Sequence, residues 1–265
     1  MTKAAEGGAP MMKIVSVCSL SGGQGKTTTT LLLGRALARR GRRVCLLDAD
    51  PQHSLSMFCG VPLESDQPSL LELLKGQGPA LDAVYPVEGY ESLFIVPSDD
   101  SLDAAHEYLS QTGVGATVLR RRLEALAPHF DVCLIDSPPQ RSQLVLSVLG
   151  AAHLLVIPAE STVKGFASAA RTLDLFYAQR DLGATQATLA GVLPFRDRWF
   201  GHSQSKESKL AQEAMRDEVG AAQVLTAIPE SERYKRAVAS GEALGESLEY
   251  PFEDLIARLG LGGAA

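Results

Sequence analysis

At 265 residues the chain is long enough for one well-buried α/β domain and short for two independent ones. Its 45% hydrophobic and 21% charged residues are those of an ordinary globular protein, and no apolar run approaches the length of a membrane span. A net charge of −6 excludes a chain that coats nucleic acid over its whole surface, so any DNA contact must be a local patch.

Residues 1–12 are small and polar and lack the basic start and apolar stretch of an export signal, so they are expected to form a disordered tail. From there strands and helices alternate: strand 13–18, helix 27–40, strand 43–48, short helices near 54–59 and 69–75, strand 92–96, helices 101–110 and 116–127, strand 131–136. Helix 140–150, strand 153–158, helix 163–180, strand 187–193, helix 203–218, a short strand at 224–228 and helices near 231–239 and 252–260 complete the series. The runs Val44 to Leu47, Val132 to Ile135 and Leu154 to Ile157 are continuously apolar, as strands buried on both sides must be. These features predict an α/β fold, a doubly wound and mostly parallel sheet with helices on both faces, in a single domain over 13–265. Phe166, Ala170, Leu173 and Tyr177 share one stripe of helix 163–180 and are read as its core face. The Pro- and Gly-containing stretch 60–91 reads as a surface excursion.

The cysteines form no CxxC pair. Cys18, Cys45 and Cys133 fall inside predicted strands, which fits buried, reduced thiols in a cytosolic protein, and Cys59 is the candidate for exposure.

The run Ser19 to Thr28, SLSGGQGKTT, sits between an apolar strand and an apolar-periodic helix, the context of a phosphate-binding loop. Gly22, Gly23 and Gly25 let the backbone turn and bring its N–H groups to a polyphosphate; Lys26 supplies the cation and Thr27 a hydroxyl for Mg²⁺. The whole stretch Gly22, Gly23, Gln24, Gly25, Lys26, Thr27 and Thr28 is thus assigned to the nucleotide, which implies a nucleoside triphosphate and Mg²⁺ as cofactors. Asp48 and Asp50 end the second strand, and Asp136, before Ser137-Pro138-Pro139, ends another. In an open parallel sheet those strand ends form the ligand crevice. The acids are placed to hold the metal and to orient or activate water; the alternative use of each is to cap the following helix.

With these segments in hand, the chain resembles the ParA branch of the MinD/ParA group of deviant Walker ATPases over about residues 13–250. SGGQGKTTT, the DADPQ at 48–52, DSPP at 136–139, AAHLLVIPAE at 151–160 and IPESERYKRAVASGE at 228–242 carry the resemblance. It implies that the nucleotide is ATP, and an ATP-sandwich homodimer that binds DNA without sequence preference and lets go on hydrolysis stimulated by an adaptor of the ParB or McdB kind. A cytoplasmic, nucleoid-associated protein follows from the same likeness. By resemblance too, Asp50 is the acid most tied to hydrolysis, Thr27, Asp48 and Asp136 belong to the metal shell, and Pro194 and Pro229 border the adenine.

One position departs from the family pattern. Where the family carries a lysine that reaches across the dimer, this chain has Ser21, a feature shared with the McdA group of ParA-like ATPases that space carboxysomes. Lys164, at the start of the helix after the strand ending Ile157-Pro158, is the expected surrogate, with Arg141 as second choice and a merely solvated lysine as the alternative.

For DNA the candidates are Arg196, Arg198, Lys206, Lys209, Arg216, Arg233, Lys235 and Arg236. Residues 190–240 carry eight basic against seven acidic side chains, so DNA binding rests on the resemblance more than on charge. Phe195, Trp199 and Phe200 are expected to pack their loop against the body of the protein.

Carboxysome positioning is favoured; plasmid or chromosome partition is the close alternative. A MinD-like membrane ATPase would need a basic amphipathic C-terminal helix. Here the stripe Phe252, Leu255, Ile256 and Leu259 is backed by Glu253 and Asp254, so docking on the sheet, with no membrane partner, is expected.

Overall fold

A computed structural model describes residues 12–61, 63 and 66–262. The expected tail lies outside these residues except for Met12, which is buried and packs into the core, so the tail cannot extend to residue 12.

Strands β1 (Lys13–Val17), β2 (Val44–Asp48), β3 (Tyr85–Pro86), β4 (Leu93–Val96), β5 (Val132–Asp136), β6 (Leu154–Glu160) and β7 (Thr188–Asp197) form most of the main sheet. A small hairpin, β8 (Trp199–Phe200) and β9 (Ser203–Gln204), follows, and β10 (Ile228–Pro229) closes the series. Among the described residues the main sheet has eight strands in the order β10-β7-β6-β1-β5-β2-β4-β3, parallel except where β3 pairs with β4. The helices are α1 (Lys26–Arg39), α2 (Ser54–Phe58), α3 (Leu70–Lys75), α4 (Ala105–Gln111) and α5 (Gly115–Leu123). After β5 come α6 (Gln143–Ala151), α7 (Val163–Asp181), α8 (Lys206–Val219), α9 (Glu232–Ser240) and α10 (Glu246–Arg258).

The period-two geometry of a strand distributes the central runs between two cores. Val44, Leu46, Val132 and Leu134 join α1, α9 and α10 on one face, while Cys45, Leu47, Cys133 and Ile135 join α3 to α6 on the other. Leu155, Ile157 and Ala159 of β6 extend the second face toward α7. Phe252, Leu255 and Ile256 of α10, with Leu259 just past its end, are buried in the core that α1 shares, so the C-terminal stripe docks on the body as its acidic polar face implied.

Several expectations are corrected. The stretch 60–91 is only partly a surface excursion, because Leu70, Leu71, Leu73 and Leu74 of α3 are core residues behind a Ser69–Glu72 capping box. The strand expected at 224–228 shrinks to Ile228–Pro229 plus a bridge from Val224 to Val192, while β7 runs on to Asp197. Cys59 is buried under α1, and burial pushes its thiol up to about 12.

Strand β1 lies between β5 and β6, and the chain leaves it first toward β2 on one side and later toward β7 on the other. That reversal opens a crevice at the carboxyl ends of β1, β5 and β6.

Candidate nucleotide site

The glycine loop joins β1 to α1 at this crevice. Gly23 (φ +77°) and Gly25 (φ +93°) adopt left-handed conformations, and a Cβ at Gly25 would stand 2.6 Å from ring atoms of Phe195, so glycine is required there twice over. Gln24 is buried and ties the loop to the sheet: its Nε2 donates to Gly22 O at 3.2 Å and its Oε1 accepts from Glu160 N at 2.9 Å. Lys26 is buried, and its Nζ donates to Ser21 O at 3.1 Å. The first turn of α1 has no acidic residue, so the positive end of the helix dipole is left to an anion. Loop residues Gly22 to Thr28 line a cavity of about 380 Å³ with Asp50, Pro139 and Arg196 on its other walls.

The carboxylates divide their work. Asp48 and Asp136 are register partners at the ends of β2 and β5. Thr27 Oγ1 donates to Asp136 Oδ2 at 2.7 Å, whereas Asp136 Oδ1 is buried with no hydrogen-bond partner among the described residues. Burial, then the charge of Asp48, pushes the Asp136 carboxyl well above the usual range, against the pull of Thr27 and Lys26. An orphaned carboxylate oxygen beside a threonine hydroxyl and crowded negative charge fits Mg²⁺, which takes one or two carboxylates and completes its shell with water and phosphate.

Asp48 is differently engaged. Its Oδ2 accepts from Ser56 N at 2.8 Å and Ser56 Oγ at 2.7 Å, and its Oδ1 accepts from Asp50 N at 3.2 Å. Burial raises its carboxyl to about 6 despite those donors. Both oxygens therefore clamp the turn that carries Asp50 and the first turn of α2, the capping use allowed for by the sequence. Asp50 itself accepts from Gln52 N at 3.0 Å and lines both the loop cavity and a neighbouring one of about 390 Å³ beside Pro138 and Pro139.

Lys164 stands exposed in the first turn of α7, behind Thr162, whose Oγ1 accepts from Gly165 N at 3.1 Å. Among the described residues no hydrogen bond or ion pair joins it to the loop of its own chain. The side chain that reaches position 21 is Arg171, whose Nη2 donates to Ser21 Oγ at 3.1 Å. Nothing in the spacing of α7 pointed to it. The apolar stripe predicted for that helix is rotated: Ser168 and Thr172 are fully buried while Phe166, Ala170 and Tyr177 are only partly so. The two hydroxyls are core residues because they bond the loop entry, Ser168 Oγ to Ser19 Oγ and Thr172 Oγ1 to Leu20 N, each at 3.1 Å.

Of the proposed adenine neighbours, Pro194 is buried in β7 and Pro229 half-buried in β10, outside the loop cavity. Phe195 and Arg196, at the end of the same strand, line that cavity instead. Arg196, offered above as a DNA contact, thus borders the loop cavity; it pairs with Glu160 at 3.3 Å and has a left-handed backbone (φ +53°). Arg198 pairs with Glu230 at 2.8 Å, Lys235 with Glu232 at 2.7 Å and Arg236 with Glu242 at 3.8 Å. Lys206, Lys209, Arg216 and Arg233 are exposed without an ion pair among the described residues. Phe195 is buried as expected, but Trp199 (51% exposed) and Phe200 (70%) stand out on the β8–β9 hairpin, which Asp197 anchors by accepting from Trp199 Nε1 and Gln204 Nε2, each at 2.8 Å.

A family model described as an AAA domain matches residues 12–182. Maintenance of carboxysome distribution protein A from Synechococcus elongatus is 47% identical over 253 residues, 94% of this chain and 100% of that protein. Among solved structures, a variant of Cyanothece McdA in complex with ATP superposes with a TM-score of 0.92 at 44% identity, covering 97% of this chain and 100% of that one. Cobyrinic acid a,c-diamide synthase from Mycobacterium smegmatis, with an ATP analogue and magnesium bound, superposes with a TM-score of 0.80 at 26% identity, covering 93% of this chain and 94% of that one.

Proposed function

The chain belongs to the ParA-like ATPase family that includes the carboxysome distribution proteins A, and from that premise we propose that it is a Mg²⁺-dependent ATP switch that positions carboxysomes on DNA. The observation that carries this reading is the juxtaposition of the Lys26-bearing loop and Asp50 around one cavity, whose lining residue Thr27 donates to Asp136, a buried acid with its other oxygen unpartnered among the described residues. Loop N–H groups and Lys26 bind the polyphosphate; Thr27 and Asp136 hold the metal, with Asp48 bracing the turn behind them. Mg²⁺, when bound, neutralises charge on the phosphoryl oxygens. Asp50, on the rim and held by its own turn, orients the attacking water.

In this reading two copies close face to face over their nucleotides, with Lys164 of each meeting the nucleotide of the other. The exposed position of Lys164 at the head of α7 supports that role. Closure doubles the unpaired cations Lys206, Lys209, Arg216 and Arg233 facing DNA phosphates, which makes binding sensitive to both ATP and salt. An adaptor protein of the McdB kind triggers hydrolysis and release.

Electrophoretic shift of unrelated DNA duplexes tests the switch. A shift with ATP that disappears with ADP or without nucleotide is expected; a shift of equal size in all three conditions, or none, contradicts it.

A further inference from the structure

Three consecutive residues at the loop entry are gripped by one face of α7. Ser19, Leu20 and Ser21 bond to Ser168, Thr172 and Arg171 respectively, each at 3.1 Å. These helix positions are spaced by three and four and so lie together on one side. Ser21 is the hub of the arrangement, since its hydroxyl accepts from the Arg171 guanidinium while its carbonyl accepts from Lys26 Nζ. Two cations are thus bonded to one small neutral residue.

Arg171 has no carboxylate at ion-pair distance among the described residues, and Ser21 is its hydrogen-bond partner. It shares a cavity of about 620 Å³ with Leu20 and Arg141, where Asp174 is the single acidic lining residue. Among the described residues no ion pair therefore offsets the guanidinium beside the loop.

We propose that Arg171 is a positioning residue for the nucleotide site: it pins Ser21, and through Ser21 it fixes the backbone that holds Lys26. Ser21 and Arg171 form a functional pair, and a lysine at 21 is incompatible with the arginine at 171 because it would bring an ammonium against the guanidinium. Serine at this position is then not a bare loss of the family's lysine but the acceptor that a cation supplied from within the same chain requires. This inference rests on the reading of the loop as an ATP site.

The test is a double-mutant cycle on the full-length chain, read as the Kd of a fluorescent ATP analogue with Mg²⁺ and the KM for ATP. Arg171→Ala and Ser21→Ala should each weaken binding roughly threefold to tenfold, the range of a hydrogen bond from a charged donor at a partly exposed site. The double variant should be no weaker than the worse single one. Ser21→Lys should also weaken binding, and adding Arg171→Ala to it should restore affinity, a reversal that loss of structure cannot produce. Additive single effects, an unchanged Kd for Arg171→Ala, or tighter binding by Ser21→Lys with Arg171 intact overturns the proposal. Lys26→Ala separates the two levels. If it abolishes analogue binding while Arg171→Ala is silent, the pairing alone fails; if it binds normally, the nucleotide reading fails first.

Discussion

Lys26 is poised for an anion because Ser21 O already holds its ammonium at the mouth of the loop, inside a largely buried setting where charge is felt strongly. Replacing it with Ala should lower turnover by about 10²–10³, the cost of removing one preorganised donor to transition-state charge. Asp50→Ala should reduce hydrolysis by about 10²–10⁴ and leave binding of a fluorescent ATP analogue intact, since among the described residues no hydrogen bond or ion pair joins Asp50 to Lys26 or to the Thr27–Asp136 pair. Equal loss of binding and turnover in the Asp50 variant would assign it to the loop's architecture instead. The thiols give a separate check: Cys18, Cys45, Cys59 and Cys133 are all buried, and burial raises Cys59 to about 12. Native protein should therefore react negligibly with Ellman's reagent and yield all four thiols after denaturation. Residue types at the site were legible because glycines, a lysine and strand-end acids have few other uses in that order. Asp48 was harder: its bonds to Ser56, eight positions on, depend on where α2 begins. Arg171 was illegible, since a contact spanning 150 positions leaves no trace in local spacing.

Elements with continuous apolar runs were readable, because burial on both faces needs such runs whatever the partners are. Those that failed depend on neighbours. Helix α7 buries Ser168 and Thr172 to serve the loop, which turns its core face away from the purely apolar stripe. The segment after β7 forms a hairpin because Asp197 gathers Trp199 and Gln204, leaving the aromatic rings outside. At the head of α7, Gly165 has no space for a side chain, as a Cβ there would collide with the backbone oxygen of Glu160. Gly165→Ala should displace the first turn, lower the melting temperature and disturb Lys164 with it. Helix α10 holds to the body through Phe252, buried against α1 and edge-on to Tyr234 at 6.2 Å between centroids. Truncating Phe252→Ala should cost about 3–5 kcal/mol, readable as a lower urea midpoint with an unchanged m-value. A loss below about 1 kcal/mol would mean that α10 is not an integral part of the core.

At the scale of the whole chain, alternation of strands and helices was enough to predict the sheet, and the reversal of strand order at β1 explains why the glycine loop, Asp50 and Asp136 lie at one rim. Charge was less informative. Ion pairs take up Arg196, Arg198, Lys235 and Arg236 within the fold, so half of the basic residues offered to DNA are neutralised before any ligand approaches. What remains per copy is a small set of cations, so under the proposed function closure of two copies would be the step that turns weak phosphate contacts into useful affinity. Light scattering coupled to size exclusion measures that step directly, on the full chain with magnesium and a non-hydrolysable ATP analogue at saturation. The account predicts a mass twice the 28.2 kDa of one chain, returning to 28.2 kDa with ADP; a mass fixed at 28.2 kDa in every nucleotide state would contradict it.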